Sequence, residues 1–235
     1  MTAQEVLSEL KSLGRESYKS VLLSHGVEEP VFGASIAEMK KIVKRVKKNH
    51  QLALDLYATG VYDAMYLAGL LADDAKMTPK DLNRWAKQAY CAALSDFTVA
   101  WVTAESGHGL ELALEWIDSK KERIAAAGWA TLSSLASITA DADLDLELYE
   151  RLLRRVKTTI HEQPNGVRYV MNSFIIAVGS YVKPLSNAAQ QAARQIGRVS
   201  VDMGDTSCNV PYAPDYIAKV KARGAIGKKR KSAKC

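Results

Sequence analysis

This chain is poor in the residues that build metal centres and covalent cross-links. Its 235 residues include three cysteines, Cys91, Cys208 and Cys235. An odd number at wide spacing gives neither a disulfide framework nor a metal motif, and it suits a reducing cytosol. The four histidines, His25, His50, His108 and His161, form no HxH or HExxH pattern. No metal and no cofactor are therefore expected. Nothing matches a dinucleotide fingerprint, a nucleophile elbow or a zinc site. Gly224-Ala225-Ile226-Gly227-Lys228-Lys229 lacks the spacing and the hydroxyl of a phosphate loop. Asp202-Met203-Gly204-Asp205 places two acids beside a glycine, which reads as a turn more readily than as a metal site. The longest apolar run, Phe174-Ile175-Ile176-Ala177-Val178, is too short to cross a bilayer, and MTAQEVLSELKSLG is no signal peptide. The expectation is a monomer in the cytoplasm, without a membrane partner.

Acids are missing from one place in particular. Residues 219–235 hold eight lysines and arginines and no acid, while the whole chain carries +6. Residues 1–218 are thus left at −2, a nearly neutral body with a basic end. Such an end is a handle for a polyanion, most simply nucleic acid. A solubilising, disordered tail is the competing reading.

Helical periodicity fills the rest. A first helix starts behind Thr2 and ends at Gly14, and a second ends near Gly26. Ser35 with Glu38 makes a capping box for a third. Further helices are expected over 50–58, 61–73, 79–91, 95–105, 109–117, 120–137, 145–161, 165–182 and 185–196, with a last short one over 216–221. Thr78-Pro79 is a clean start, a capping hydroxyl followed by proline in the first turn. Asn165-Gly166 is a turn signal. Only 199–203 alternates, as a brief strand or an extended linker. Ten or more short helices suit either a helical-repeat solenoid with a long concave face or a compact helical domain.

Basic side chains recur at helical spacing. Lys40 to Lys48, including Lys44, Arg45 and Lys48, forms one stretch, and Arg151, Arg154, Arg155 and Lys157 another. Arg168, Lys183, Arg194 and Arg198 follow. Along one groove these would track a duplex backbone without reading sequence; otherwise they are solvated faces paired with acids. The tryptophans Trp85, Trp101, Trp116 and Trp129 are packing residues by default, and Trp101, near Asp96 and the polar turn at Glu105, is the best surface candidate. Asp96 is the one carboxylate singled out for chemistry. In a groove it can stabilise positive charge on a sugar as a base departs; its plain alternative is helix capping by Ser95 or Asp96.

Over almost its full length the chain resembles the DNA alkylation repair family of AlkD-like helical-repeat proteins. The residues that carry this are Gly26-Val27 with Phe32-Gly33, Trp116-Ile117-Asp118-Ser119, the RYVMNSFIIAVGSYVK segment from Arg168 to Lys183, and the C-terminal VSVDMGDTSCNVPYAPDYIAKVKARGAIGKKRK. The resemblance implies an all-α, HEAT-like helical-repeat solenoid (an α-α superhelix) over 1–218, followed by the basic tail 219–235. It also implies duplex DNA on the concave face and, in active members, excision of N3- or N7-alkylated purines. Asp96 matches the family aspartate, but the Trp-Trp-Asp pattern is absent. The expected arginine falls on Ala126 and an expected tryptophan on Ser173. These departures point to a DNA-binding relative with weak or lost glycosylase activity. It would contact duplex or branched DNA through Lys44, Arg45, Lys48, Trp101, Arg154, Arg155, Arg168, Lys183, Lys228, Lys229 and Arg230. A glycosylase using Asp96 and a protein-interaction scaffold are the alternatives.

Overall fold

The helices begin where the polar caps predict. The computed structural model describes every residue except Asp205 and Cys235, so the second acid of the 202–205 turn and one of the three thiols lie outside the described residues. Thr2 accepts the Glu5 N–H while the Glu5 carboxylate accepts the Thr2 N–H, a reciprocal cap that opens α1 (Ala3–Leu13). α2 (Glu16–Ser24) follows. Ser35 accepts the Glu38 N–H at 3.3 Å and starts α3 (Ile36–Val46). Asn49 caps α4 (His50–Tyr57), and α5 (Tyr62–Leu71) comes next. Thr78 caps α6 (Pro79–Gln88) with Pro79 in the first turn. A π-helical turn, Ala93–Val99, runs directly into α7 (Ala100–Glu105). Then come α8 (Gly109–Trp116), α9 (Glu122–Ile138), α10 (Leu146–Thr159), α11 (Asn165–Tyr181), α12 (Ser186–Ile196) and α13 (Ala213–Ala222). No strand occurs among the described residues, and 199–203 takes no regular secondary structure. Asn165-Gly166 does not turn; it opens α11.

Helices pair as α4 with α5, α6 with the π-helical turn that leads into α7, α8 with α9, α10 with α11 and α12 with α13, and the second members pack on one another in sequence, α5 on the π-helical turn, α7 on α9, α9 on α11 and α11 on α13. The result is the expected all-α solenoid, with an outer and an inner layer. Outer helices bury one stripe: α6 buries Leu82, Trp85 and Ala86 and turns Lys80, Arg84 and Lys87 to solvent. The inner α5 is buried almost all round. Two apolar clusters meet at α9, which contributes Ala127 to one and Ala126 and Trp129 to the other. Aromatic contacts fasten successive repeats within each layer. Tyr57 stacks on Trp85 at 4.0 Å, and Phe174 lies edge-on to Trp129 at 5.2 Å.

A buried carboxylate fixes the first loop. Asp63 is fully buried on α5 and accepts the Phe32 and Ala34 N–H groups at 2.6 and 2.7 Å. Burial pushes its carboxyl up, and these N–H donors pull it down.

The basic end differs most from its sequence reading. Residues 223–234 do not float. They run across the C-terminal ends of the inner helices, in reverse order of the chain. The Gly227 N–H donates to Ser180 O of α11 at 2.9 Å. Lys229 Nζ donates to Ala136 O and the Arg230 N–H to Ser137 O of α9, both at 2.8 Å. Ser232 Oγ and the Ala233 N–H donate to the Glu105 carboxylate that ends α7. Lys234 Nζ reaches Ala72 O, just past α5, at 3.4 Å. Lys229 also pairs with Asp141 at 2.8 Å and Lys234 with the buried Asp74 at 2.6 Å. The physical reason is plain: helix C-termini leave carbonyls unpaired and carry partial negative charge, and a cationic strand satisfies both. Eight like charges read as disorder only when these acceptors are out of view.

Two stability outcomes follow. Asp63→Ala strands two buried N–H groups and should lower unfolding free energy by about 1–3 kcal/mol for each, read from urea midpoints at constant m. Replacing both Lys229 and Lys234 by Met should cost about 1–3 kcal/mol per lost charged contact in the same assay. A loose tail would instead leave the midpoint unmoved.

Candidate nucleic-acid interface

The inner helices bring a carboxylate, two arginines and several aromatic rings to one cleft. Asp96 sits on the π-helical turn, where the extra residue per turn re-aims side chains relative to an α-helix. It caps nothing: its Oδ1 accepts the Ser95 hydroxyl at 2.5 Å, and the turn has no side-chain cap bond. Asp96 separates two cavities. The larger, about 440 Å³, lies toward the N-terminal ends of α9 and α11 and includes Phe97, Glu122, Arg123, Asn165 and Tyr169. The smaller, about 190 Å³, lies toward their C-terminal ends and includes Trp101, Ser133, Ser173, Tyr181 and Arg230. A wider cleft of about 740 Å³ opens away from Asp96 between α6 and α8, with Lys80, Arg84 and Lys87 on its wall.

The electrostatics of Asp96 are unusual for a carboxylate. Burial pushes its carboxyl up to about 7, against the Ser95 hydrogen bond and the Arg123 guanidinium, while Glu122 adds to the rise. Near neutral pH both protonation states are populated, so the group can accept or donate a proton. Arg123 was absent from the sequence candidates. The arginine was sought at Ala126, which is fully buried in α9; Arg123, one turn earlier, lines the Asp96 cavity instead. The signal lay in the i, i+3 spacing of those two positions along one helix. Glu122 is engaged at the start of α11, accepting the Gly166 N–H at 2.5 Å.

The other candidates divide. Asp96, Trp101 and Arg230 meet in the cleft. Trp101 is not a free surface ring: only 5% exposed, it lies edge-on to Tyr66 at 5.9 Å and tilted against Phe97 at 5.5 Å. The exposed ring is Phe97, at 46%. Arg155 is held by Asp118 at 2.7 Å, by Ile117 O and over the Trp129 ring. Arg154 pairs with Glu150 on the outer α10. Arg45 pairs with Glu9, and Lys48 with Asp74. Lys44 is exposed on α3. Arg168 donates to Asn165 at 3.3 Å in the first turn of α11, and Lys183 follows that helix. Lys229 belongs to the C-terminal strap, whereas Lys228 and Arg230 are exposed. Trp116 donates to Asn83 at 2.8 Å and is packing, as is Trp85. Among the described residues, no group of three or more His, Cys, Asp or Glu can hold a metal ion, and no helix is long and apolar enough to cross a membrane.

Residues 6–200 match the model of the DNA alkylation repair enzyme family. The chain belongs to that family. Uncharacterised proteins of Listeria innocua and Listeria monocytogenes are 32% and 31% identical over 229 residues, covering 95% of this chain and 99% of theirs. One solved structure superposes with a TM-score of 0.93 at 37% identity, covering both chains in full. It is described as representing a new family of proteins related to the HEAT-like repeat DNA glycosylases, with affinity for branched DNA structures. The HEAT-like architecture is shared along the entire length.

The Asp96 shift has a measurable sign. A carboxyl raised above its unfolded value makes folding less favourable once the unfolded chain ionises. Stability should therefore fall as pH rises from about 4 through 7, and Asp96→Asn should make that slope shallower, leaving the part due to buried Asp63. Chemical denaturation across this pH range reads it directly; parallel wild-type and variant profiles would contradict the assignment.

Proposed function

We propose that this protein binds DNA through its inner face without reading sequence, that it favours branched DNA over plain duplex, and that alkylpurine excision is weak or lost. The observation that carries the reading is the full-length relative at 37% identity with affinity for branched DNA. The cleft adds chemical support. Arg123 and Arg230 stand at the two cavities that Asp96 divides, and guanidinium groups are suited to backbone phosphates. Lys44, Arg168, Lys183 and Lys228 extend the basic surface, with phosphate contact as their role. The same cleft is a weak match for a cationic base. Trp101 is packed edge-on, Ser173 offers no ring, and an Asp96 carboxyl near pKa 7 is an incomplete anion. The protein acts as a monomer in the cytoplasm in this reading.

One observation favours the enzyme alternative. Asp96 faces a cavity beside the exposed Phe97 ring, and a cationic base bound there would pull its pKa down and restore the anion.

Fluorescence anisotropy with a four-way junction and a matched duplex, at 50 and 200 mM salt, tests the binding. Junction affinity should exceed duplex affinity, and log K should fall by about 0.9 per phosphate contact for each decade of salt. Arg123→Ala and Arg230→Ala should each flatten that slope by about one unit. Salt-independent binding would sink the reading. Release of methylated bases above the spontaneous rate, abolished by Asp96→Asn, would move the assignment to a glycosylase.

A further inference from the structure

Cys208 and His25, 183 positions apart, meet at the larger cavity. His25 follows the last turn of α2, and its Nδ1 lies 2.8 Å from Val21 O. A carbonyl only accepts, so Nδ1 carries the hydrogen. That fixes the tautomer and leaves Nε2 as the basic atom. Nε2 lies 3.5 Å from Cys208 Sγ. A nucleophile, a base and a third group that orients the base form the arrangement that activates thiols. Hydrogen bonding with His25, and then with Thr206, holds the Cys208 thiol below its ordinary range, and the same contact with Cys208 raises His25. Cys91 is the opposite case: it is fully buried, and burial pushes it up to about 11.

The pair opens onto the cavity that also contains Asp96, Phe97, Arg123 and Tyr169. Cys208 lies past residue 200, where the family match ends. Cys208 is thus brought from beyond the family match onto His25 at the end of α2, which lies within it.

We propose that Cys208 is a nucleophile that accepts an alkyl group from oxygen-alkylated DNA, with His25 as its base. This rests on the DNA-binding reading, since DNA must deliver the electrophile. The Cys208 proton passes to His25 Nε2. The thiolate then attacks the alkyl carbon opposite its oxygen, so an S–C bond forms as the C–O bond breaks. The electron pair stays on the departing oxygen, and the imidazolium releases its proton to that oxygen or to solvent. The transfer consumes the thiol once and needs no oxidant or cofactor. Two sources share this chemistry, a methyl phosphotriester in the backbone and an O6-methylguanine base.

The test incubates the full chain with three duplex oligonucleotides carrying one methyl phosphotriester, one O6-methylguanine or no modification. Peptide mass mapping reads the product, and DNA affinity is measured on the same samples. The expected result is a one-methyl mass gain on the Cys208 peptide from one modified duplex, with Cys91 unmodified. The duplex that transfers identifies the source. The gain should vanish in Cys208→Ser, and transfer should slow about 100-fold in His25→Gln. Unmodified Cys208 with intact DNA affinity overturns the inference and leaves the binding reading in place. Transfer at an unchanged rate in His25→Gln removes His25 from the mechanism. Absence of both binding and transfer overturns both.

Discussion

The cleft depends on two backbone approaches that leave no room for a side chain. At Gly69 in α5, a Cβ would meet Thr98 Cγ2 at 2.7 Å. This contact sets how closely the π-helical turn lies on α5, and so where Asp96 points. At Gly128 in α9, a Cβ would meet the Ile117 N and Ala113 O atoms of α8 at 2.8 and 2.9 Å. α9 is therefore seated directly against its outer partner, with buried Ala125, Ala126 and Ala127 just before the contact. The glycines sacrifice some helix propensity here, and glycines and alanines alike sacrifice apolar area. In return the inner helices lie close enough for Arg123 of α9 and Tyr169 of α11 to share a cavity with Asp96.

The inner layer is finished differently at its two ends. At the C-terminal ends, the strap supplies N–H groups and ammonium groups to exposed carbonyls of α9 and α11 and beyond the end of α5. At the N-terminal ends, Asn165 of α11 and Asp202 exchange side-chain-to-backbone hydrogen bonds at 2.7 and 2.8 Å. The strap's charges consequently have two separate jobs. Lys229 and Lys234 are committed to Asp141 and Asp74. Lys228, Arg230 and Lys231 remain exposed, and Arg230 lines the smaller cavity.

Local chemistry made most helices readable. Thr2, Ser35 and Thr78 cap where their hydroxyls precede the apolar stripes, because a cap is decided within one turn of chain. Asp96 was legible as the odd carboxylate after an apolar stretch. The π-turn beneath it was not, since its cause includes the α5 contact at Gly69, far away in sequence. Arg123 was missed by one helical turn, the error expected when a position is carried over without its backbone. Cys208 and His25 were invisible as a pair for the same reason as the strap: each half has its partner at the other end of the chain. Sequence patterns report near neighbours, whereas these features are made by the superhelix bringing distant segments together.

The raised Asp96 carboxyl can be understood together with DNA binding. If the cleft takes the DNA backbone as proposed, an ionised carboxylate there would repel it. With its pKa pushed up to about 7, Asp96 needs little free energy to keep its proton, and an approaching phosphate shifts it further toward the neutral acid. The neutral acid donates one hydrogen bond where the anion would oppose a negative charge. A cation produces the reverse response and draws out the anion. The same residue is thus part neutral and part ionised when nothing charged faces it, more neutral opposite a phosphate and more ionised opposite a cation. In the proposed reading, such a carboxylate can stay at the centre of the solenoid without opposing DNA held by its phosphates.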